Sequence, residues 1–148
     1  MSSVLRHIIF KSNAFNTTEP KDCFINPCCF GDDLGRWMIQ QLRAHGISTD
    51  NEPRQEDFGW YIVFRIGATE YFFIISYRPG DPTGDWMCGL ERNASLIGHI
   101  LGRQKKGILP EAAQAIHDVL KASREIYEIR WLGDEDAEES ARSEPVSY

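Results

Sequence analysis

No stretch of this 148-residue chain approaches the roughly 20 apolar residues that a membrane-spanning helix needs. Met1 to His7 lack the charged start and long apolar core of a signal peptide, so the expected compartment is the cytoplasm, with no membrane partner. Cysteine is scarce. Cys23, Cys28, Cys29 and Cys88 are too few and too uneven for a secreted disulfide framework and are expected as reduced thiols. Adjacent Cys28 and Cys29 cannot easily face one tetrahedral ion, and His7, His45, His99 and His117 stand isolated from one another, so no metal site is expected. No phosphate loop, dinucleotide fingerprint, nucleophile elbow or zinc-protease pattern occurs, which leaves no cofactor and no catalytic residue to assign. Beyond Arg103, Lys105 and Lys106 there is no basic stripe, which argues against nucleic acid as a partner.

What is present is ordinary globular material, 42% hydrophobic and 26% charged, of a length that makes one domain. The net charge of −6 is concentrated at one end. From residue 134 onward Asp134, Glu135, Asp136, Glu138, Glu139 and Glu144 stand against Arg142 alone. A domain over residues 1–132 followed by an acidic, disordered tail over 133–148 is therefore expected.

The most aromatic and β-branched stretch runs over residues 56–78, two apolar runs joined by a short Gly-containing break, which predicts an antiparallel hairpin. Trp60, Ile62, Phe64 and Ile66 fall on one face of the first run, and Tyr61, Val63 and Arg65 on the other. The second run alternates Tyr71, Phe73, Ile75 and Tyr77 with Phe72, Ile74, Ser76 and Arg78. Strands apolar on both sides predict a central position covered on each face.

Around this hairpin, residues 4–11 predict a first strand, 126–132 a last strand and Trp86 to Leu90 a third antiparallel strand. Residues 47–55 carry Pro53 and predict at most a short edge strand. Asn26-Pro27 offers a helix start, and Phe30, Leu34, Trp37, Met38 and Leu42 recur at helical spacing up to Gly46, predicting a helix over 27–45. Gly31 and Gly35 lie one turn apart in it and suggest close approach to another backbone. Leu96, Ile97, Ile100 and Leu101 have helical spacing, and Pro110 opens a clearer helix over 110–123. The fold class is α+β: a mainly antiparallel sheet of five or six strands packed by two or three helices.

Candidate chemistry is thin. Cys28 or Cys29 near a helix start, His99, and the acid pairs Asp32-Asp33, Glu56-Asp57 and Asp81 with Asp85 could serve an enzyme whose pocket lies between sheet and helices, but nothing in the sequence brings them together. Adjacent acids are more often solvated caps and turn formers. Four tryptophans remain. Trp37 and Trp60 fit a core, whereas Trp86, after the breaker-rich loop 79–85, and Trp131, beside the acidic tail, are expected to reach the surface. Exposed tryptophan next to carboxylates suits protein binding, with the ring as anchor and the charges as steering. The residues expected to contact a partner are Glu56, Asp57, Asp81, Asp85, Trp86 and Trp131.

Asn26-Pro27 with Gly31 and Leu34, then Glu56-Asp57-Phe58-Gly59-Trp60, then Ile129-Arg130-Trp131 together resemble a family of small uncharacterised bacterial proteins, over about residues 26–132. Phe58 departs from the family's more frequent Trp, and the acidic tail is an addition. The resemblance implies no catalytic residue. By analogy with other small acidic proteins it implies an immunity protein, an antitoxin-like inhibitor that blocks a bacterial toxin with a basic surface. A self-associating subunit is the third reading and would show a large exposed apolar patch.

Overall fold

The computed structural model describes residues 3–26, 29–93, 108, 110–133, 138 and 141–147. In chain order these form β1 (Ser3–Val4), β2 (His7–Lys11), α1 (Asp32–Ala44), β3 (Ser48–Thr49), β4 (Arg54–Glu56), β5 (Gly59–Ile66), β6 (Thr69–Arg78), β7 (Asp85–Arg92), α2 (Pro110–Lys121), β8 (Tyr127–Leu132) and β9 (Val146–Ser147). The helical spacing at Leu96 to Leu101, together with His99, Cys28 and the Arg103, Lys105, Lys106 cluster, lies outside the described residues.

The predicted hairpin holds the middle of the sheet. β5 and β6 pair antiparallel from Trp60 opposite Ile75 to Ile66 opposite Thr69. They are joined at Gly67, whose φ of 59° is the left-handed conformation a tight turn requires. β7 continues the meander beside β6. β2 then inserts between β7 and β8, while β3 and β4 share the other edge of β5, giving a seven-stranded antiparallel sheet. A separate ladder joins β1 to β9. The fold is thus α+β, as the residue pattern indicates.

Strand alternation sends one side chain of each pair to the helices. Ile8, Phe10, Trp60, Ile62, Phe64, Tyr71, Phe73, Ile75, Trp86, Leu90 and Trp131 are buried there with Leu34, Met38 and Leu42 of α1 and Ile116, Val119 and Leu120 of α2. Both helices lie on this face, α1 against β5 and α2 against β8, and they also touch each other. Neither described helix is long and apolar enough to cross a membrane.

Four details differ from the sequence expectation. First, α1 begins at Asp32 rather than at 27, because Gly31 takes φ 136°, and residues 29–31 are tied to the sheet, where the Trp60 indole N–H donates to the Cys29 carbonyl at 2.9 Å. Second, the first strand splits at Leu5 and Arg6, whose amides turn to Pro145 and Leu132 carbonyls. Third, β8 carries a bulge opposite Ile9 to Lys11, with Glu128 at φ 54°, so Tyr127 leaves the core alternation and is exposed. Fourth, the acidic tail expected to stay free is docked in its described residues. Arg142 bridges Trp131, Pro145 is buried, and β9 pairs with β1, because the edge of β8 and the first residues offer backbone groups to satisfy.

Candidate binding face

The second face of the sheet carries no helix among the described residues. Following the registers across it, Tyr61 pairs with Ile74, Ile74 with Gly89, Gly89 with His7 and His7 with Leu132. In the next rank Ser76 pairs with Met87, Met87 with Ile9 and Ile9 with Arg130. On the other side Val63 pairs with Phe72 and Phe72 with Glu91. The middle of the face is therefore apolar. Ile9, Val63 and Leu132 are buried without joining the helix-side core, and Tyr61, Phe72, Ile74 and Met87 are half-buried.

Gly89 shapes this surface. It lacks a side chain where neighbouring strands present Ile74 and His7, and a Cβ placed there would still stand 3.6 Å from His7 Nδ1. The result is a depression of about 570 Å³ bordered by Ile9, Ile74, Met87, Leu132, Arg6 and Glu138. A smaller cleft of about 240 Å³ lies beside it, between Phe58, Tyr61, Phe72, Ile74, Glu56 and Glu91.

Charge closes the two ends of the face. At one end Asp85 receives Lys11 at 3.0 Å, Arg78 at 2.7 Å and Arg130 at 2.9 Å, and Glu138 from the tail takes Arg78 at 2.6 Å. Burial pushes the Asp85 carboxyl up, but hydrogen bonds from Arg78 and Lys11 and the charges of Lys11 and Arg130 outweigh it and hold the group down at about 2. At the other end Arg65 binds Asp50 at 2.5 Å and Glu70 at 3.1 Å, and Arg54 binds Asp50 at 2.6 Å.

The residues expected to meet a partner fall into three groups. Glu56, Asp57 and Asp81 are exposed. Asp85 is occupied by its three cations. Trp86 and Trp131 are fully buried, each 0% exposed, which corrects their reading as surface anchors. Trp86 faces the helix side because it lies opposite Tyr77 and Phe10 in register, and its ring packs on Tyr77 at 4.9 Å. Trp131 lies opposite Ile8, which puts it on the same side. The most exposed aromatic among the described residues is instead Phe58, 52% exposed, between Asp57 and Gly59.

Tyr61, Phe72, Ile74, Met87 and Gly89 were not singled out from the sequence. Their signal is the doubly apolar alternation of β5 and β6 together with a glycine in the middle of β7.

The three described cysteines lie in different environments. Cys23 is exposed and Cys29 sits with its sulfur 3.8 Å from the Asp57 carbonyl. Cys88 is buried on the helix side, and burial pushes its thiol well above the ordinary value, which makes it a poor nucleophile. One cleft, lined by His117 and Lys121 of α2, Tyr127 and Ile129 of β8, and Glu144, lies where α2 meets the sheet; the other three described lie at the 49–54 loop and on the second face of the sheet. Among the described residues no three His, Cys, Asp or Glu side chains gather as a metal site would require.

No protein-family model matches the chain, and no curated protein or solved structure does either.

Proposed function

We propose that this protein is a non-enzymatic, cytoplasmic binding protein that inhibits a protein partner by occlusion, in the manner of an immunity protein set against a toxin. The single observation that carries the reading is the second face of the sheet, which carries no helix among the described residues and presents the half-buried Tyr61, Phe72, Ile74 and Met87 between paired charges. An apolar core inside a polar rim is how protein interfaces are built. Glu56, Asp57 and Glu91, three exposed acids at the edge of this face, favour a basic partner and add steering to it. The described side chains between sheet and helices pack as an apolar core, and the cleft where α2 meets β8 is the place that the alternative enzyme reading would need. The resemblance to small bacterial proteins supports the immunity assignment by analogy.

The test compares wild type with Ile74→Glu and Met87→Glu as baits in capture from the source cell. A protein retained by wild type and lost by both variants, toxic when expressed alone and harmless when this chain is co-expressed, is the expected result. A captured protein held equally by all three, or one whose toxicity this chain leaves untouched, would overturn the reading. Circular dichroism of the variants checks that the fold is intact.

A further inference from the structure

The smaller cleft on the second face of the sheet has a composition of its own. Phe58 and Tyr61 ring centroids lie 6.3 Å apart at 34°, and Tyr61 and Phe72 lie 5.4 Å apart at 73°, so three rings form a connected row. With Ile74 they line the cleft of about 240 Å³, together with Glu56 and Glu91 among the described residues. An aromatic face is the negative pole of the ring quadrupole and attracts a cation within about 6 Å of its centroid. Two carboxylates at the border strengthen that attraction. A cleft of rings bordered by acids is the complement of a cation.

Three of the described arginines near this face already have partners. Arg54, opposite Tyr61 in register, is held by Asp50 at 2.6 Å and by the Tyr61 side chain. Arg65 is held by Asp50 and Glu70, so two guanidinium groups meet two carboxylates. Arg6, beside the larger depression, turns its Nε to the Leu90 carbonyl at 3.1 Å. Glu56 and Glu91 enter no ion pair among the described residues, and Phe58 projects into solvent beside them.

We propose that this cleft receives an arginine side chain from the partner's surface, its guanidinium lying against Phe58, Tyr61 and Phe72 with its N–H groups turned to Glu56 and Glu91. Arginine suits the site better than lysine. Its planar, weakly hydrated fork stacks on rings and serves two acceptors at once, whereas an ammonium is a compact, strongly hydrated point charge. The proposal rests on the binding-face reading and names the chemistry by which that face would choose its partner.

The experiment titrates the full-length protein with Nα-acetyl-arginine amide, following the aromatic proton resonances, with Nα-acetyl-citrulline amide as the neutral isostere and Nα-acetyl-lysine amide as the second cation. Saturable shifts of the Phe58, Tyr61 and Phe72 rings are expected with the arginine compound. The citrulline compound should bind about 10-fold more weakly, and Glu56→Gln with Glu91→Gln should weaken the arginine compound about 3- to 10-fold. Phe72→Leu should do the same. Equal shifts with arginine and citrulline, lysine binding as tightly as arginine, no saturable shift, or arginine binding indifferent to the two Glu→Gln changes would each overturn the assignment. If the cleft fails while Ile74→Glu still abolishes partner capture, the binding face stands and only the arginine site falls. If Ile74→Glu leaves capture intact, the face itself is wrong.

Discussion

Trp131 donates its indole N–H to Nδ1 of His117 at 3.0 Å, inside the contact between β8 and α2. The bond fixes His117, when neutral, as the tautomer protonated at Nε2, and that nitrogen lies 3.4 Å from Glu144 in the tail. Trp131→Phe keeps most of the buried ring and removes the donor, leaving Nδ1 of a buried histidine unsatisfied. The expected cost is about 1–3 kcal/mol in urea unfolding at neutral pH. Adding His117→Leu to the same variant removes the orphaned acceptor, so the double variant should be more stable than Trp131→Phe alone. If the two changes simply add, the bond contributes nothing specific.

Asp85 sets how the protein responds to acid. Its carboxyl titrates at about 2 in the folded state against 3.8 in the unfolded chain. A lowered pKa stabilises the fold fully above pH 4, and that stability is lost as pH falls from about 4 to about 2. The shift corresponds to about 2 kcal/mol. Asp85→Asn should lose about that much at pH 7 and show a flatter stability profile between pH 4 and 2. Thermal unfolding at a series of pH values reads this directly, and an unchanged profile would mean that other carboxylates govern acid unfolding. Arg78, Arg130 and Glu138 belong to the same cluster, so their substitutions should not be additive with Asp85→Asn.

The sheet was legible because its period-two pattern is strong. Trp60, Ile62 and Phe64 opposite Ile75, Phe73 and Tyr71 follow directly from two alternating runs and a glycine turn. The site was less legible, because an apolar side chain reports burial without reporting what buries it. Ile74 and Phe72 alternate as regularly as Ile75 and Phe73, and only the three-dimensional packing separates a face covered by helices from one that carries none among the described residues. Trp86 misled for a related reason. Its place after a loop suggested exposure, but its parity in β7 sends it to the core. The docking of the tail includes backbone bonds between Arg142 and Trp131 and the β1–β9 ladder, which leave no hydrophobic pattern in the sequence.

Gly31 and Gly35 bring α1 close to the sheet by different means. At Gly31, φ is 136° and an added Cβ would stand 2.7 Å from Ile75 Cγ2. Gly31→Ala therefore combines backbone strain with overpacking and should cost on the order of 2–4 kcal/mol. Gly35 has ordinary helical geometry, and a Cβ there would meet Pro53 at 2.9 Å and Ile62 at 3.3 Å. The gain of about 1 kcal/mol in helix propensity offsets part of that crowding. Gly35→Ala should thus shift the melting temperature less than Gly31→Ala. The reverse order would show that α1 can move away from β6 more easily than from the 51–53 turn.

Phe58 and Trp86 separate binding from folding. Trp86 is fully buried against Phe15 and Tyr77, so Trp86→Ala should cost about 3–5 kcal/mol and lower the amount of soluble protein before any effect on a partner can be read. Phe58 is 52% exposed and touches Tyr61 along its edge of the face. Phe58→Ser should leave stability within about 0.5 kcal/mol. An aromatic at an interface anchor is worth about 2 kcal/mol or more to binding, so the same change should weaken partner binding by at least about 10-fold. Denaturant titration and calorimetric binding on the two variants give the contrast. A Phe58→Ser variant that binds like wild type would move the interface away from the Glu56, Phe58 and Tyr61 edge and toward the depression over Gly89.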